Sequence, residues 1–261
     1  MSLNTNISGK RVLLLGAGGV LGGAHARILV EHEARLIVAD RPGSTVLDEA
    51  KALGIPGIEI DVANETDMVD GIARAAEQFG GLDGAIFNAA ITSEGLACGD
   101  NTFPAFEEYP LALWHKAIDI NLTGAFLFAR EAGKVLKNGK GGSLINVASI
   151  YGVVGPDHRI YDGQPFRSFP AYSASKAGII GLTRWLSTWW AKDSIRVNSV
   201  SPGGVYNGHD ERFVAAYSNR TPMGRMAERE EITGILIYLL SDSSRYCTGQ
   251  NFIIDGGLTS W

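Results

Sequence analysis

The stretch Arg11-Val12-Leu13-Leu14-Leu15-Gly16-Ala17-Gly18-Gly19-Val20-Leu21-Gly22 decides the fold. Four consecutive aliphatic residues, bounded at once by glycine, read as a short strand buried on both faces, the pattern of a parallel sheet. A helical pattern follows over residues 23–31, then a second apolar run over 35–39 that ends in Asp40. Glycines after a strand let backbone approach a pyrophosphate, and the unpaired N–H groups of the new helix can bind it. Asp40 stands 24 residues beyond Gly16, where an acid accepts hydrogen bonds from an adenosine ribose. A tight strand-to-helix turn would use the same glycines without a ligand. The ordered series of strand, glycines, helix and acid favours a dinucleotide.

The alternation continues outward from that unit. Strands are expected at 57–60, 82–87, 142–147, 196–200 and 251–254, with helices at 64–79, 111–136 and 172–192. Strands alternating with helices predict an α/β, doubly wound parallel sheet of the Rossmann type, with ligands at the C-terminal strand ends. Asn88, Ser149, Pro202 and Gly203 all fall at such ends and can face one crevice. With no internal repeat, low-complexity tract or linker, residues 1–261 are expected to form a single domain.

The segment Tyr172-Ser173-Ala174-Ser175-Lys176 opens the helical pattern over 172–192. Positions four apart share a helix face, so the phenol and the ammonium can address one point. A nearby ammonium favours phenolate, which suits a tyrosine to acid–base work near neutral pH. A Tyr–Lys pair at this spacing is also a common surface feature, so the motif gains force only from its context.

Composition narrows the function classes. Charged residues are 20% and hydrophobic residues 45% of the chain, and the net charge is −5. That balance, without runs of Lys or Arg, argues against nucleic acid or an anionic membrane as partner. Two cysteines, Cys98 and Cys247, are too few for a disulfide framework, and no Cys/His spacing matches a metal site. His115 and His158 read as solvated or core histidines. With no signal-peptide pattern and no spanning segment, a cytoplasmic location is expected.

Taken together, Asp61-Val62, Asn88-Ala89-Ala90, Asn121-Leu122, Ser149, Tyr172-x-x-x-Lys176, Asn198 through Pro202-Gly203, Gly249-Gln250 and Asp255-Gly256-Gly257 resemble the short-chain dehydrogenase/reductase family, compact branch. The resemblance covers nearly the whole chain. It implies a nicotinamide cofactor and hydride transfer between it and a carbinol or carbonyl carbon. Tyr172 would be the acid/base, Lys176 would hold the nicotinamide ribose, Ser149 would bind the substrate oxygen, and Asn121 would position a water in the proton relay. The cofactor would lie along Gly16, Gly19, Leu21, Gly22, Asp40, Arg41, Asp61, Val62, Asn88, Ala89, Tyr172, Lys176, Pro202, Gly203, Val205 and Asn207. Asp40 should repel a 2′-phosphate and favour NAD over NADP, although Arg41 sits where NADP-preferring relatives often place a base. The family also implies a homotetramer or homodimer built on the Asn121 helix and the Tyr172 helix, where Trp185, Trp189 and Trp190 lie.

The chain departs from the family pattern in several places. Val20 takes the usual middle-glycine position, giving Gly16-x-x-Gly19-x-x-Gly22, a spacing similar to extended relatives such as sugar-nucleotide epimerases and to flagellin-modification members. Leu15 replaces a threonine, Phe87-Asn88-Ala89-Ala90 replaces Asn-Asn-Ala-Gly, and Asn207 replaces a threonine. Removing both partners of a buried hydrogen bond costs far less than orphaning one, so the apolar changes are expected to compensate.

Substrate loops are expected at 92–110, 150–171 and 204–225. Ser149 and Tyr172 lie 23 residues apart, a longer interval than the family's usual one. The loops carry Asp157, His158, Arg159, Asp162, Gln164 and Arg167, and then Asn207, His209, Asp210, Glu211 and Arg212. This polar set favours a sugar, sugar phosphate or polyol. Ile150, Val153, Val154 and Phe169 keep a 3-oxoacyl thioester as the alternative substrate, and a non-catalytic dinucleotide sensor is the alternative function.

Overall fold

In the computed structural model, which describes residues 4–93, Leu96, 104–164 and 166–261, the glycine-bounded run Arg11–Leu15 is strand β1. Its side chains alternate between two cores, as the two-residue period of a strand requires. Leu13 and Leu15 enter one core, and Val12 and Leu14 the other. All four are fully buried. This explains why the run is aliphatic throughout.

Chain order continues α1 (Val20–Glu31), β2 (Arg35–Asp40), α2 (Val46–Leu53), β3 (Gly57–Glu59), α3 (Glu65–Phe79) and β4 (Gly84–Phe87). It proceeds through α4 (Leu111–Ile118), α5 (Gly124–Asn138), β5 (Gly142–Val147), α6 (Pro170–Trp189) and β6 (Ile195–Pro202). It ends with α7 (Glu211–Arg220), α8 (Thr233–Leu240) and β7 (Asn251–Ile254). The seven strands form one sheet in the order β3-β2-β1-β4-β5-β6-β7, all neighbours parallel. The order reverses between β1 and β4, which opens a crevice at their C-terminal ends. Met68 and Ile72 of α3, Phe128 of α5 and Ile179 of α6 cover one face. Leu29 of α1, Val46 of α2 and Leu236 of α8 cover the other.

The expected strands are all present, and the sheet is the doubly wound parallel one. Three helices escape the sequence pattern, α2, α7 and α8, and α7 lies inside the loop expected at 204–225. The helix expected over 111–136 is interrupted: residues Asp119–Thr123 form a π-helical turn between α4 and α5. Such widened turns concentrate at functional sites, and this one carries Asn121. Much of the first expected substrate loop, residues 94, 95 and 97–103, lies outside the described residues.

Candidate active site

The glycine loop is shaped by close approach. Gly16 adopts φ +91°, and a Cβ there would strike the backbone of Asn88 and Ala89. A Cβ at Gly22 would strike the Gly16 carbonyl and Ala17, so this glycine packs α1 against the loop and does not line the cleft. Gly19 is the N-cap of α1 and supplies no side-chain cap, which leaves the first N–H groups of the helix to face the cleft. Leu15 and Phe87 are paired across β1 and β4, both fully buried, and Phe87 packs on Phe128 at 5.5 Å. Apolar partners therefore meet where the family pattern has polar ones. Asn88 still ties the loop down, donating from Nδ2 to the Gly16 carbonyl at 2.8 Å.

A cleft of about 760 Å³ runs along the C-terminal strand ends. One half is lined by Gly16, Gly19, Leu21, Asp40, Arg41, Asp61, Val62, Asn88 and Ala89, and Pro202, Gly203, Val205 and Asn207 line its other side. Asp40 accepts from the Gly18 N–H at 2.8 Å through Oδ2 and from the Arg41 N–H at 2.7 Å through Oδ1. Each oxygen keeps a further lone pair for a ligand hydroxyl. The uncapped helix terminus, the glycine approach and this oriented acid fit a dinucleotide. Asn207 has its side-chain oxygen engaged by Arg229 at 3.1 Å.

At the centre of the cleft stand Ser149, Tyr172 and Lys176. Proline at the start of α6 fixes the entry of that helix, and Tyr172 follows within its first turn. Lys176, 2% exposed, donates from Nζ to the Val147 carbonyl at 2.9 Å and lies 5.6 Å from the centre of the Tyr172 ring. Burial lowers its pKa to about 7. Ser149, at the end of β5, accepts from the Tyr151 N–H at 3.2 Å, which leaves its own hydroxyl hydrogen free to donate.

Asn121 is fully buried and stands behind the cleft wall. Its Oδ1 accepts from the Ile91 N–H at 2.8 Å, and its Nδ2 donates to Ser175 Oγ at 3.2 Å. Ser175 in turn donates to the Tyr172 carbonyl at 2.8 Å. The π-helical turn is thereby tied to the turn of α6 that presents the phenol. Sequence reading passed over Ser175; its position between Tyr172 and Lys176 was the available signal.

The substrate half has a different lining from the one expected. Asp157 is held by Arg159 at 2.7 Å and by Arg220 at 3.1 Å. These ion pairs keep its carboxyl down at about 2. Asp210 caps α7 by accepting from the Arg212 and Phe213 N–H groups. Asp157, His158, Arg159, Asp162, Gln164, Asp210, Glu211 and Arg212 do not line the cleft, whereas Arg167, Asn207 and His209 do. Aromatic side chains fill the wall instead. Tyr161 and Phe166 meet edge to face at 6.0 Å, Phe166 lies 5.2 Å from Phe213, and His209 stacks on Phe213 at 4.9 Å. The Tyr151 and Tyr161 hydroxyls are hydrogen-bonded at 2.9 Å, and burial raises the Tyr151 pKa far above the usual phenol value. Among the described residues no cluster of His, Cys, Asp or Glu is gathered as a metal site, and no helix is long and apolar enough to cross a membrane.

Comparison with known proteins agrees with this geometry. Residues 16–259 match a family model described as enoyl-(acyl carrier protein) reductase. The trans-4-hydroxycyclohexanecarboxylate dehydrogenase of Sinomonas cyclohexanicum is 33% identical, covering 99% of this chain and 96% of that protein. The 3-alpha-(or 20-beta)-hydroxysteroid dehydrogenase of Mycobacterium bovis is 31% identical, over 98% of this chain and 91% of the relative. A short chain dehydrogenase of Leptospira borgpetersenii, solved with bound NAD+, superposes with a TM-score of 0.86 at 32% identity, covering 99% and 97% of the two chains. The chain belongs to the short-chain dehydrogenase/reductase family and is an NAD(P)-dependent oxidoreductase of hydroxy and carbonyl compounds.

Proposed function

We propose that the protein is an NAD-dependent dehydrogenase of the compact branch that interconverts a ring-borne secondary alcohol and its ketone. The observation that carries this reading is the aromatic wall of Tyr161, Phe166 and Phe213 facing the Ser149–Tyr172–Lys176 centre across one cleft. Aromatic faces suit a flat or puckered hydrocarbon ring better than an acyclic polyol, whose hydroxyls would be left without partners there. Two relatives act, by name, on alcohols carried by saturated rings, which supports the same class.

The bound nicotinamide supplies the hydride acceptor or donor. Tyr172 takes the hydroxyl proton during oxidation and returns it during reduction. Ser149 donates to the substrate oxygen and fixes it beside the phenol. The Lys176 ammonium favours the phenolate form of Tyr172 and is placed to hold the ribose. Asn121 and Ser175 act on Tyr172 through its backbone, as positioning residues. NAD is preferred because Asp40 presents a carboxylate where a 2′-phosphate would lie. We place the protein in the cytoplasm as a homodimer or homotetramer. Exposed Phe126 on α5 and the stacked Trp185 and Trp189 on α6 give the pairing face.

A panel assay following reduced nicotinamide tests the reading, setting cyclohexanols and their ketones beside polyols, keto-sugars and 3-oxoacyl thioesters. Turnover of the ring compounds at the highest kcat/KM is expected. Efficient turnover confined to polyols or thioesters would overturn the substrate class.

A further inference from the structure

The charges of the substrate half are unequal in a way the hydride chemistry leaves unused. Of the acidic side chains lining the cleft, Asp40 ends β2 and Asp61 follows β3, and both belong to the dinucleotide half. Beyond Tyr172 no carboxylate of a described residue lines the cleft. The loop acid Asp157 is neutralised by two arginines, and Asp210 is committed to the α7 N-terminus. Lys176 is committed to the Val147 carbonyl and the Tyr172 ring.

Arg167 remains. It lines the same cleft on the loop entering α6, five residues ahead of Tyr172, and its side chain is exposed. Among the described residues it forms no ion pair, unlike Arg159 and Arg220 on the neighbouring elements. The next residue, Ser168, also lines the cleft, and its Oγ is buried without a hydrogen-bond partner among the described residues. Among the described residues, a guanidinium and a hydroxyl with no protein acceptor are therefore consecutive in the chain, in a half of the cleft that also carries Tyr161, Phe166 and Phe213.

We propose that Arg167, assisted by Ser168, binds an anionic group of the substrate, and that the substrate is a cyclic hydroxy acid or its keto form. The proposal rests on the ring-alcohol reading and deepens it. The aromatic side chains hold the ring, Tyr172 and Ser149 hold the oxygen at the reacting carbon, and Arg167 holds a carboxylate carried on another ring carbon. A planar guanidinium matches a carboxylate with two parallel hydrogen bonds. A phosphate dianion would need a second cation, and the described lining of this half offers none that is uncommitted. Charge-assisted pairs of this kind favour the acid over a neutral isostere by on the order of 10- to 100-fold.

The test uses the intact enzyme with NAD and two alcohols, 4-hydroxycyclohexane-1-carboxylate and the matching primary carboxamide. Wild type is expected to prefer the acid by roughly 10- to 100-fold in kcat/KM. Arg167→Met should abolish that preference by raising KM for the acid, with kcat and amide turnover unchanged, and Arg167→Lys should restore part of it. Binding of unreactive cyclohexanecarboxylate to the enzyme with NAD, measured by calorimetry, gives a readout independent of turnover and should weaken about as much in Arg167→Met. An acid preference that survives Arg167→Met, or equal losses on acid and amide, overturns the assignment. Arg167-dependent binding of the carboxylate without turnover of either alcohol would uphold the anion site and overturn the ring-alcohol reading. Turnover of both alcohols without dependence on Arg167 would do the reverse.

Discussion

Asp40 accepts a hydrogen bond from the Gly18 N–H at 2.8 Å, so the acid that ends β2 is locked to the glycine loop that follows β1. The carboxylate is held in place before any ribose arrives. A 2′-phosphate would meet this fixed charge a few ångströms away, a repulsion of about 1–3 kcal/mol at intermediate dielectric. NAD is therefore expected to bind roughly 10- to 100-fold more tightly than NADP. Asp40→Ser, which leaves Arg41 in place, should narrow or invert that ratio. Calorimetry with both cofactors checks it, and equal or tighter NADP binding by wild type would contradict it.

His25 on α1 is fully buried, with Nδ1 paired to Thr233 Oγ1 at 2.8 Å and Nε2 without a partner among the described residues. Burial depresses its pKa from 6.5 to about 4. Between those values the unfolded chain holds the extra proton and the folded chain does not. Stability therefore falls as pH drops through this window, by about 3 kcal/mol in all. Urea denaturation at pH 7 and pH 4.5 should show the loss. His25→Gln, which can still pair with Thr233, should flatten it; an unchanged pH slope in that variant would exclude His25 as the source.

Trp185 and Trp189 stack at 5.2 Å on α6 and are 57% and 61% exposed. Large indoles left in water mark a contact surface, since each can bury some 150–250 Å². Trp185→Glu combined with Trp189→Glu should yield a smaller species by light scattering, with the fold retained by circular dichroism. An unchanged mass would move the subunit contact elsewhere.

The sheet was legible because its central strands are largely buried, and in β1 that burial makes the run aliphatic without interruption. Gly16 and Gly22 were legible for another reason: a Cβ at either would strike neighbouring backbone, so few substitutes are admitted. Helix α8 was not, since an apolar stretch such as residues 234–240 loses the periodicity by which a half-exposed helix is read. The π-helical turn at Asn121 has no glycine or proline to announce it. The substrate wall misled most, because residue types carry no directions. Asp157 and Arg159 read as two ligands and are one ion pair, while Phe166 and Phe213, which the sequence reading did not single out, line the cleft.

The central claim is that Tyr172 carries the proton of the reacting oxygen, with Lys176 behind it. Tyr172→Phe removes one oxygen from a ring that also packs on Phe169 at 5.6 Å, so the fold and NAD affinity should be kept. Steady-state kinetics on the best alcohol of the panel, with NAD affinity measured on the same preparations, is the most direct measurement. The account predicts a fall in kcat of roughly 10²- to 10⁴-fold at unchanged NAD affinity for Tyr172→Phe, and loss of both for Lys176→Ala. A Tyr172→Phe enzyme that keeps most of its turnover would contradict the account.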